Sequence, residues 1–319
     1  MLRNLLEKTP RYALLVLGFW LPRDRKRRAE RWLRGYEQCS KLRRADAVIV
    51  SYGKSGRTWV RVLISRFYQL HCGLRSERLL GFDNLHGKDR RIPRIFLTHD
   101  NYIQDYSGNR DSKRDFYDKR VVLLVRSPQD VAVSQYFQWK FRMRARKKAL
   151  NEYPDHGTDI SLYDFTMSPA GLPKIIDFMN LWADERERIR DLLIVRYEDL
   201  RADTAGVFAK IVRFLGAPED TAAIRGAVEY ASVENMRKLE EKRVFWLAGG
   251  RMTARDSSNP DSFKVRRAKV GGYRDYFEDE EVARVDALVR AKLSPVYGYG
   301  EPKASGPNAP AGRSGGTSS

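Results

Sequence analysis

Short apolar runs alternate with segments of helical periodicity along most of the chain. The runs with the length and apolar content of buried strands lie at residues 48–50, 95–97, 121–125 and 192–195. Helical patterns cover residues 58–71 and 207–215, and a third begins near Gln129 or Asp130. Strand–helix alternation without an internal repeat predicts an α/β fold, in which helices flank a central parallel sheet. Ligands of such folds bind at the carboxyl ends of the strands.

Composition divides the chain into three segments. Residues 1–44 are predicted to form an apolar and basic helical segment, and residues 45–300 to form the main domain. Residues 301–319 contain little that a core could bury, which predicts a disordered tail.

The N-terminal segment combines an apolar run with a basic one. Residues 12–21 are too short to span a bilayer. The basic residues 23–34 follow the apolar run, whereas a secretory signal has its charges before the apolar part. This order argues against export, and an apolar segment beside a basic one fits peripheral contact with an anionic membrane through residues 12–34. The alternative is a core helix with a solvated basic continuation, and the sequence favours neither.

The charge balance is strongly positive, with 60 Lys and Arg against 41 Asp and Glu and a net charge of +19. Such a surface attracts polyanions, acidic membranes or a highly charged ligand. The sequence has no helix-turn-helix, zinc-ligand or RNA-binding signature, so we expect no nucleic-acid partner. Cys39 and Cys72 are too few for a disulfide framework, which favours a reducing, cytoplasmic location.

The segment after the first predicted strand has the features of an anion site. Gly53 and Gly56 allow close approach of the backbone, Lys54 adds a charge, and Ser55 and Thr58 add hydroxyl donors. The first N–H groups of the following helix have no partner within the helix, and the helix dipole favours an anion there. An ordinary strand-to-helix turn is the simpler alternative. The segment is not a Walker A loop, because Val48 occupies the position of its first glycine.

The residues KSGRTW, Lys54 to Trp59, resemble the 5′-phosphosulfate loop PKSGTTW of sulfotransferases that use PAPS (3′-phosphoadenosine 5′-phosphosulfate). Gly53 stands where that family usually has Pro, and Arg57 replaces its first Thr. The resemblance implies a single α/β domain related to P-loop nucleotide kinases, with PAPS as co-substrate. It assigns donor binding to the whole loop, which comprises Lys54, Ser55, Gly56, Arg57, Thr58 and Trp59.

Two further segments resemble parts of the same family's donor site. RSPQDVAVSQY resembles its 3′-phosphate segment RNPRDVAVSYY, which implies that Arg126 and Ser134 bind the 3′-phosphate. RRAKVGGYRDYF aligns with RKGxxGDWxxxF, where Arg266 and Arg267 match the basic pair and Ala268 replaces Gly. The Gly-, Ser- and Arg-rich residues 245–265 before it are predicted to form a lid over the nucleotide.

The resemblance also assigns the adenine contacts. Trp59 is expected to offer a stacking surface and Tyr197 a polar contact. Ser232 lies in SVENM, which is similar to the family's SFxxM segment, with Val233 in place of Phe.

The family reaction is in-line transfer of a sulfuryl group, catalysed by positioning and charge stabilisation. Lys54 is predicted to stabilise the leaving phosphate oxygen. His99 is predicted to be the general base, since it follows a strand where the family shows Lys-Thr-His and Leu97 replaces the lysine. Asp100 is the other candidate base, and a purely structural role is the alternative for His99. No metal is expected.

The acceptor is expected to be a hydroxyl-bearing glycan, glycolipid or other alcohol. Residues 137–175 should contribute much of its pocket, and their basic run FQWKFRMRARKK hints at an acidic or glycan acceptor. One rival function is a P-loop kinase, which requires ATP and Mg²⁺. The other is a basic protein that binds membranes or polyanions and has a degenerate nucleotide site. We expect a cytoplasmic location, with peripheral contact on the inner face of the membrane.

Overall fold

The computed structural model describes residues 9–75, 78–242 and 269–300. In this part of the chain the sheet consists of strands Ala47–Ser51 (β1), Ile95–Thr98 (β2), Arg120–Val125 (β3) and Asp191–Arg196 (β4). All neighbouring pairs are parallel, and the strand order is β2-β1-β3-β4. Each observed strand covers a predicted apolar run, and the predicted α/β fold class is confirmed.

Helices connect and cover these strands. The N-terminal half contains Thr9–Leu17 (α1), Arg23–Arg44 (α2), Arg57–His71 (α3), Ile103–Ser107 (α4), Pro128–Phe137 (α5) and Ala145–Leu150 (α6). The C-terminal half contains Leu162–Met167 (α7), Leu172–Asp184 (α8), Tyr197–Ala202 (α9), Thr204–Phe214 (α10), Thr221–Tyr230 (α11), Val233–Glu241 (α12) and Asp279–Lys292 (α13). Short 3₁₀ turns span Gly18–Trp20, Arg114–Phe116, Arg186–Arg188, Gly272–Tyr276 and Pro295–Tyr297, and a π-helical turn spans Gln138–Arg142.

The hydrophobic core lies on both faces of the sheet. Because successive strand residues point to opposite faces, Ile49 packs on one side while Val48 and Val50 pack on the other. The Ile49 side is covered by α3, α10 and α11, and the Val48 side by α5, α8 and α13. Burial on both faces explains why the strands are continuously apolar rather than alternating.

The N-terminal segment folds against the domain through α2, but α1 has no buried residue. The Arg11 Nε lies 3.2 Å from the Glu37 carboxylate and holds α1 against α2. Tyr12, Leu17 and Trp20 are exposed, so α1 is not the core helix that one interpretation of the sequence predicted. Across residues 9–75, 78–242 and 269–300, no helix is both long and apolar enough to cross a membrane.

Candidate functional site

A cavity of about 760 Å³ opens where the parallel strands end. Its walls include Lys54 from the loop after β1, His99 from the loop after β2, Arg126 after β3 and Tyr197 after β4. These segments are far apart in sequence and meet because the carboxyl ends of parallel strands lie at one edge of the sheet.

The loop between β1 and α3 turns through two residues of positive φ. Gly56 has φ 90° and is the N-cap residue of α3, and Lys54 has φ 73° although it is not glycine. A Cβ atom on Gly56 would lie 2.7 Å from Cδ2 of Tyr197, so the backbone approaches that ring more closely than any side chain would allow. The loop therefore presents its backbone and the start of α3 directly to the cavity.

Arg126 connects this loop with two other parts of the cavity wall. Its Nη1 donates to the Lys54 carbonyl oxygen at 3.4 Å, and its Nη2 donates to Asp130 Oδ2 at 3.2 Å and to the Lys269 carbonyl oxygen at 3.0 Å. The guanidinium also lies 4.5 Å from the centre of the Tyr197 ring. A cation held by contacts on three sides is well fixed for binding an anion.

Asp130 holds the C-terminal segment against α5. Its Oδ2 accepts from the Gly271 amide at 2.9 Å, and its Oδ1 accepts from the Tyr273 amide at 3.0 Å. The side chain is almost completely buried, and it also carries the ion pair to Arg126. The Asp130 carboxylate thus holds both Arg126 and residues 271–273, which follow the predicted basic pair at 266–267 in the sequence.

Trp59 packs edge-on against Tyr197, with the ring centres 5.9 Å apart. Its Nε1 donates to the Ala231 carbonyl oxygen at 2.8 Å, which fixes the indole at the cavity wall. Burial is the main cause that raises the pKa of Tyr197, so its hydroxyl is neutral near pH 7.

His99 has a defined tautomer. Its Nδ1 lies 2.8 Å from the carbonyl oxygen of Ser51, the last residue of β1. A carbonyl oxygen can only accept, so Nδ1 carries the proton, and the basic lone pair of the neutral ring is on Nε2.

Asp100, the residue after His99, forms a buried ion pair. Lys113 Nζ donates to Asp100 Oδ2 at 2.7 Å, and the two side chains are 5% and 4% exposed. Asp100 has φ 54°, and its amide donates to Thr98 Oγ1 at 2.9 Å. Burial raises the pKa of the Asp100 carboxyl, although the Lys113 ammonium opposes that rise.

The wall beyond His99 is built around Asn151, just after α6. The Asn151 Oδ1 accepts from Tyr102 Oη at 2.8 Å and from Asn101 Nδ2 at 3.2 Å, while its carbonyl oxygen accepts from Lys174 Nζ at 2.6 Å. Loss of hydration is the main cause that lowers the pKa of Lys174. These bonds tie α6 and α8 to the loop that carries His99.

Two tyrosines continue the same wall. The hydroxyl oxygens of Tyr52 and Tyr153 lie 3.1 Å apart. Burial raises the pKa of Tyr153 to about 12 and that of Tyr52 well above its usual range. The pair is therefore neutral and presents aromatic surface with a hydrogen-bonding edge.

The structure brings most of the predicted residues to one cavity. Those that line it are Lys54, Gly56, Arg57, Thr58, Trp59, His99, Arg126, Ser134 and Tyr197. Ser55 is buried and does not line the cavity, and the Ser232 hydroxyl caps α12 by accepting from the Asn235 amide at 3.3 Å. Arg266, Arg267, Ala268 and the predicted lid at 245–265 lie outside the described residues, but Lys269, which follows them, lines the cavity.

A comparison with protein families decides the affiliation of the chain. The family model described as Sulfotransferase domain matches residues 44–296. The chain belongs to this sulfotransferase family.

Relatives of this sulfotransferase are distant but cover most of its length. Cytosolic sulfotransferase 3 of Arabidopsis thaliana is 24% identical over 260 residues, which are 78% of this chain and 76% of that protein. Flavonol 3-sulfotransferase of Flaveria bidentis is 24% identical over 275 residues, 81% of this chain and 84% of that protein.

Solved structures share the fold. Mouse sulfotransferase SULT7A1 complexed with PAP superposes with a TM-score of 0.51 at 19% identity, covering 80% of this chain and 89% of that chain. Retinol dehydratase in a complex with retinol and PAP superposes with a TM-score of 0.53 at 18% identity, covering 83% of each chain.

Several wall residues of the sulfotransferase were not predicted individually from the sequence. Asp130 stood inside the RSPQDVAVSQY segment, and its position two residues after Pro128 was a usable signal for a residue in the first turn of a helix. Tyr52, Lys113 and Asn151 gave no such signal, because their roles depend on long-range contacts.

Proposed function

We propose that the protein transfers a sulfuryl group from PAPS to a hydroxyl of an acceptor. The observation that carries the proposal is the meeting of Lys54 and Arg126 with His99 around one cavity, although they come from three separate strand ends. Family membership supports transfer of this kind, and two of the similar structures contain PAP, the donor's product.

The donor side of the cavity suits a nucleotide with two phosphate positions. The close backbone approach at Gly56 and the amides at the start of α3 would receive the 5′-phosphosulfate, with Lys54, Arg57 and Thr58 beside it. Arg126 and Ser134 would receive the 3′-phosphate, and Arg266 and Arg267 would add charge to it. Trp59 would offer the adenine a stacking surface and Tyr197 a polar contact, with Ser232 as a further contact.

The chemical step needs a group that accepts the hydroxyl proton and a cation at the leaving oxygen. PAPS supplies an activated sulfuryl group when it is bound. The neutral His99 ring has its proton on Nδ1, where it is donated to the Ser51 carbonyl oxygen. The Nε2 atom therefore takes the proton of the substrate hydroxyl while the hydroxyl oxygen attacks the sulfur of PAPS. Lys54 stabilises the charge that develops on the leaving phosphate.

His99 is a better candidate for the base than Asp100. The Asp100 carboxylate is buried and bonded to Lys113 Nζ at 2.7 Å, so both of these side chains are engaged in holding the loop. The ion pair would have to break before Asp100 could accept a proton from an acceptor in the cavity.

The first test is transfer of ³⁵S-sulfate from labelled PAPS to a panel of hydroxyl acceptors. We expect transfer without ATP or added Mg²⁺, and we expect that His99→Ala abolishes turnover but retains PAP binding by calorimetry. Transfer of phosphate from ATP that requires Mg²⁺ would favour the kinase instead. Tight heparin binding with no thermal shift on adding PAP or PAPS would favour a degenerate, polyanion-binding protein.

The proposed acceptors are glycans, glycolipids or other alcohols. Lining residues from 138–174 include Lys147, Lys174 and Tyr153, which mix charged, hydrogen-bonding and aromatic surface. Such a mixture suits a sugar ring better than a wholly apolar acceptor, because it offers donors and acceptors to several hydroxyls. The panel should therefore contain free oligosaccharides, a glycolipid and a simple phenol. A panel in which only the phenol is sulfated would contradict the glycan assignment.

We also propose peripheral contact with the inner face of the membrane, in an otherwise cytoplasmic protein. Tyr12, Val16, Leu17 and Trp20 are 55–73% exposed and lie together on α1 and the turn after it. The basic start of α2 follows immediately, so apolar insertion and attraction to anionic lipid would act at the same surface.

Vesicle sedimentation tests this contact. We expect binding to vesicles that contain phosphatidylserine and weaker binding to pure phosphatidylcholine vesicles. The double substitution Leu17→Ser and Trp20→Ser should reduce the bound fraction severalfold, whereas Val296→Ser, an exposed apolar residue elsewhere, should leave it unchanged. Equal binding of both variants would contradict the assignment to α1.

A further inference from the structure

Lys147 occupies an unusual electrostatic position in the cavity. It lies on α6, its side chain is exposed to solvent, and it lines the cavity. Loss of hydration is the largest cause that lowers its pKa, and the positive charges of Arg34 and Arg57 lower it further. Lys147 therefore sits among cations where a positive charge is poorly stabilised.

Two other cations close to α6 have partners within the protein. Arg34 donates to Glu30 Oε1 at 2.8 Å, and Lys174 donates to the Asn151 carbonyl oxygen at 2.6 Å. Within the described ranges, by contrast, no hydrogen bond or ion pair involves the Lys147 ammonium.

The carboxylates of the cavity do not compensate for Lys147. Asp100 is paired with Lys113, and Asp130 is paired with Arg126. Glu152 raises the pKa of Lys174, but neither Glu152 nor Asp177, the other two carboxylates of the described cavity wall, is among the groups that shift the pKa of Lys147. The cavity thus has a local excess of positive charge at α6 that a ligand could neutralise.

The position of α6 assigns this charge to the acceptor side. Asn151, just after α6, accepts from Asn101 Nδ2 at 3.2 Å, and Asn101 is two residues from His99. We propose that the acceptor carries an anionic group (carboxylate, sulfate or phosphate) in addition to its reacting hydroxyl, and that Lys147 binds this group. The inference rests on the proposed sulfuryl transfer and specifies its substrate class.

A neutral acceptor would displace the water around Lys147 and would give its ammonium no counter-charge. Removing water from an uncompensated charge is unfavourable, whereas an anion would make a charge-assisted hydrogen bond with the ammonium. The cavity should therefore discriminate between charged and neutral forms of one scaffold.

Paired acceptors test this directly. Each pair consists of one hydroxyl-bearing scaffold as the free carboxylate and as its methyl ester. A hydroxybenzoate gives one such pair, and a glycoside of glucuronic acid gives another. In the wild type we expect the carboxylate to have the higher kcat/KM by about tenfold or more. Lys147→Met should remove most of that preference by raising KM for the carboxylate, with a much smaller change in kcat/KM for the ester.

Two control variants separate charge from other effects. Lys147→Arg should keep most of the preference, because it retains the positive charge. Lys210→Met removes an exposed lysine on α10 that does not line the cavity, and it should leave kcat/KM unchanged for both members of each acceptor pair. Binding of the same pairs to the PAP-saturated protein, measured by calorimetry, gives a second reading that does not depend on turnover.

The outcomes are distinct. Equal turnover and equal binding of charged and neutral partners would overturn the inference and leave sulfuryl transfer intact. Weaker PAP binding in Lys147→Met, with the acceptor preference retained, would also overturn it, because Lys147 would then belong to the donor site. Failure of the wild type to bind PAP would instead refute the proposed function.

Discussion

Lys54 and Gly56 give the loop after β1 its shape, because both have positive φ. For Lys54 this conformation is strained, since the left-handed region costs a residue with a Cβ atom roughly 1–2 kcal/mol. Such strain persists where the surrounding structure holds it, and it concentrates at binding sites. Here the Lys54 carbonyl oxygen accepts from Arg126, so the strained residue is bonded to a second predicted phosphate ligand.

Gly56→Ala should damage donor binding. The added Cβ would meet the Tyr197 ring at 2.7 Å and would stand at φ 90°, so the loop or the ring must move. We expect PAP affinity, measured by calorimetry, to fall by about tenfold or more. Keeping alanine at this positive φ costs roughly 1–2 kcal/mol, and a factor of ten in affinity corresponds to about 1.4 kcal/mol.

Gly53→Ala is the matched control. Its Cβ would lie 3.1 Å from Gln135 Oε1, the end of a flexible side chain, and Gly53 has no positive φ. The effect should be much smaller than at Gly56. Similar losses at both positions would mean that the contact with Tyr197 does not determine the loop geometry.

Lys113→Met tests the buried ion pair beside His99. Removing one partner leaves the Asp100 carboxylate buried without a counter-charge, which typically costs about 3–5 kcal/mol. We expect a corresponding loss of unfolding free energy in urea at pH 8. The double variant with Asp100→Asn should recover most of it, since Asn tolerates the positive φ of this position.

The pH dependence of that loss follows from the direction of the Asp100 pKa. Burial raises this pKa in the folded protein above the ordinary 3.8, so the folded state binds the proton more tightly than the unfolded chain. The contribution of Asp100 to the free energy of unfolding therefore falls as the pH rises through the pKa of Asp100 in the folded protein. Without Lys113 the folded pKa rises further, so the stability deficit of Lys113→Met should be larger at pH 8 than at pH 5. A deficit independent of pH would contradict this account.

The sequence predicted the position of single residues only where local chemistry determines it. Lys54 and Arg126 follow strands directly, so the parallel sheet brought them to one edge. Ser232 instead caps a helix, a role that serine also performs locally and that a motif does not distinguish. Asp100 is sequestered by Lys113, thirteen residues away in a loop whose path the sequence does not specify.

At the scale of elements, Asp130 joins α5 to the 3₁₀ turn Gly272–Tyr276. Asp130→Asn would replace one accepting oxygen by an NH₂ group and would remove the counter-charge of Arg126. We expect a loss of about 2–3 kcal/mol in urea unfolding, together with weaker PAP binding.

A surface pair provides the control for Asp130→Asn. Glu280 and Arg284 form an exposed i,i+4 pair on α13, so Glu280→Gln should cost less than about 1 kcal/mol. If Asp130→Asn proves equally mild and binds PAP normally, the link to the C-terminal segment does not order Arg126.

Strands and long helices were predictable because their signals are local. β1 and β3 are continuous runs of buried aliphatic residues, and α3 follows from its 3.6-residue periodicity. The strand order was not predictable, because it depends on which distant strands pair. The wall between residues 138 and 153 was predicted only as a region, since its side-chain directions depend on the π-helical turn and on α6.

At the scale of the whole molecule, the net charge of +19 should govern donor association. A donor with roughly four negative charges is attracted over distances beyond contact, and salt screens this attraction. In stopped-flow measurements we expect the association rate constant for PAP to fall about tenfold between roughly 0.02 and 0.3 M salt, with a smaller change in dissociation. An association rate independent of salt would show that the net charge has no part in capture.

Helix α2 connects the N-terminal segment to the proposed acceptor wall. Arg31 donates from α2 to the carbonyl oxygens of Leu150 at 2.7 Å and Asn101 at 3.4 Å, and the buried Glu30 accepts from Arg146 at 2.5 Å. Proteolytic trimming within α2, or exchange of this helix with that of a relative, would therefore remove contacts that support the proposed acceptor site. Loss of turnover after such an alteration would not be evidence about lipid attachment, and substitutions confined to α1 are the appropriate way to separate the two roles.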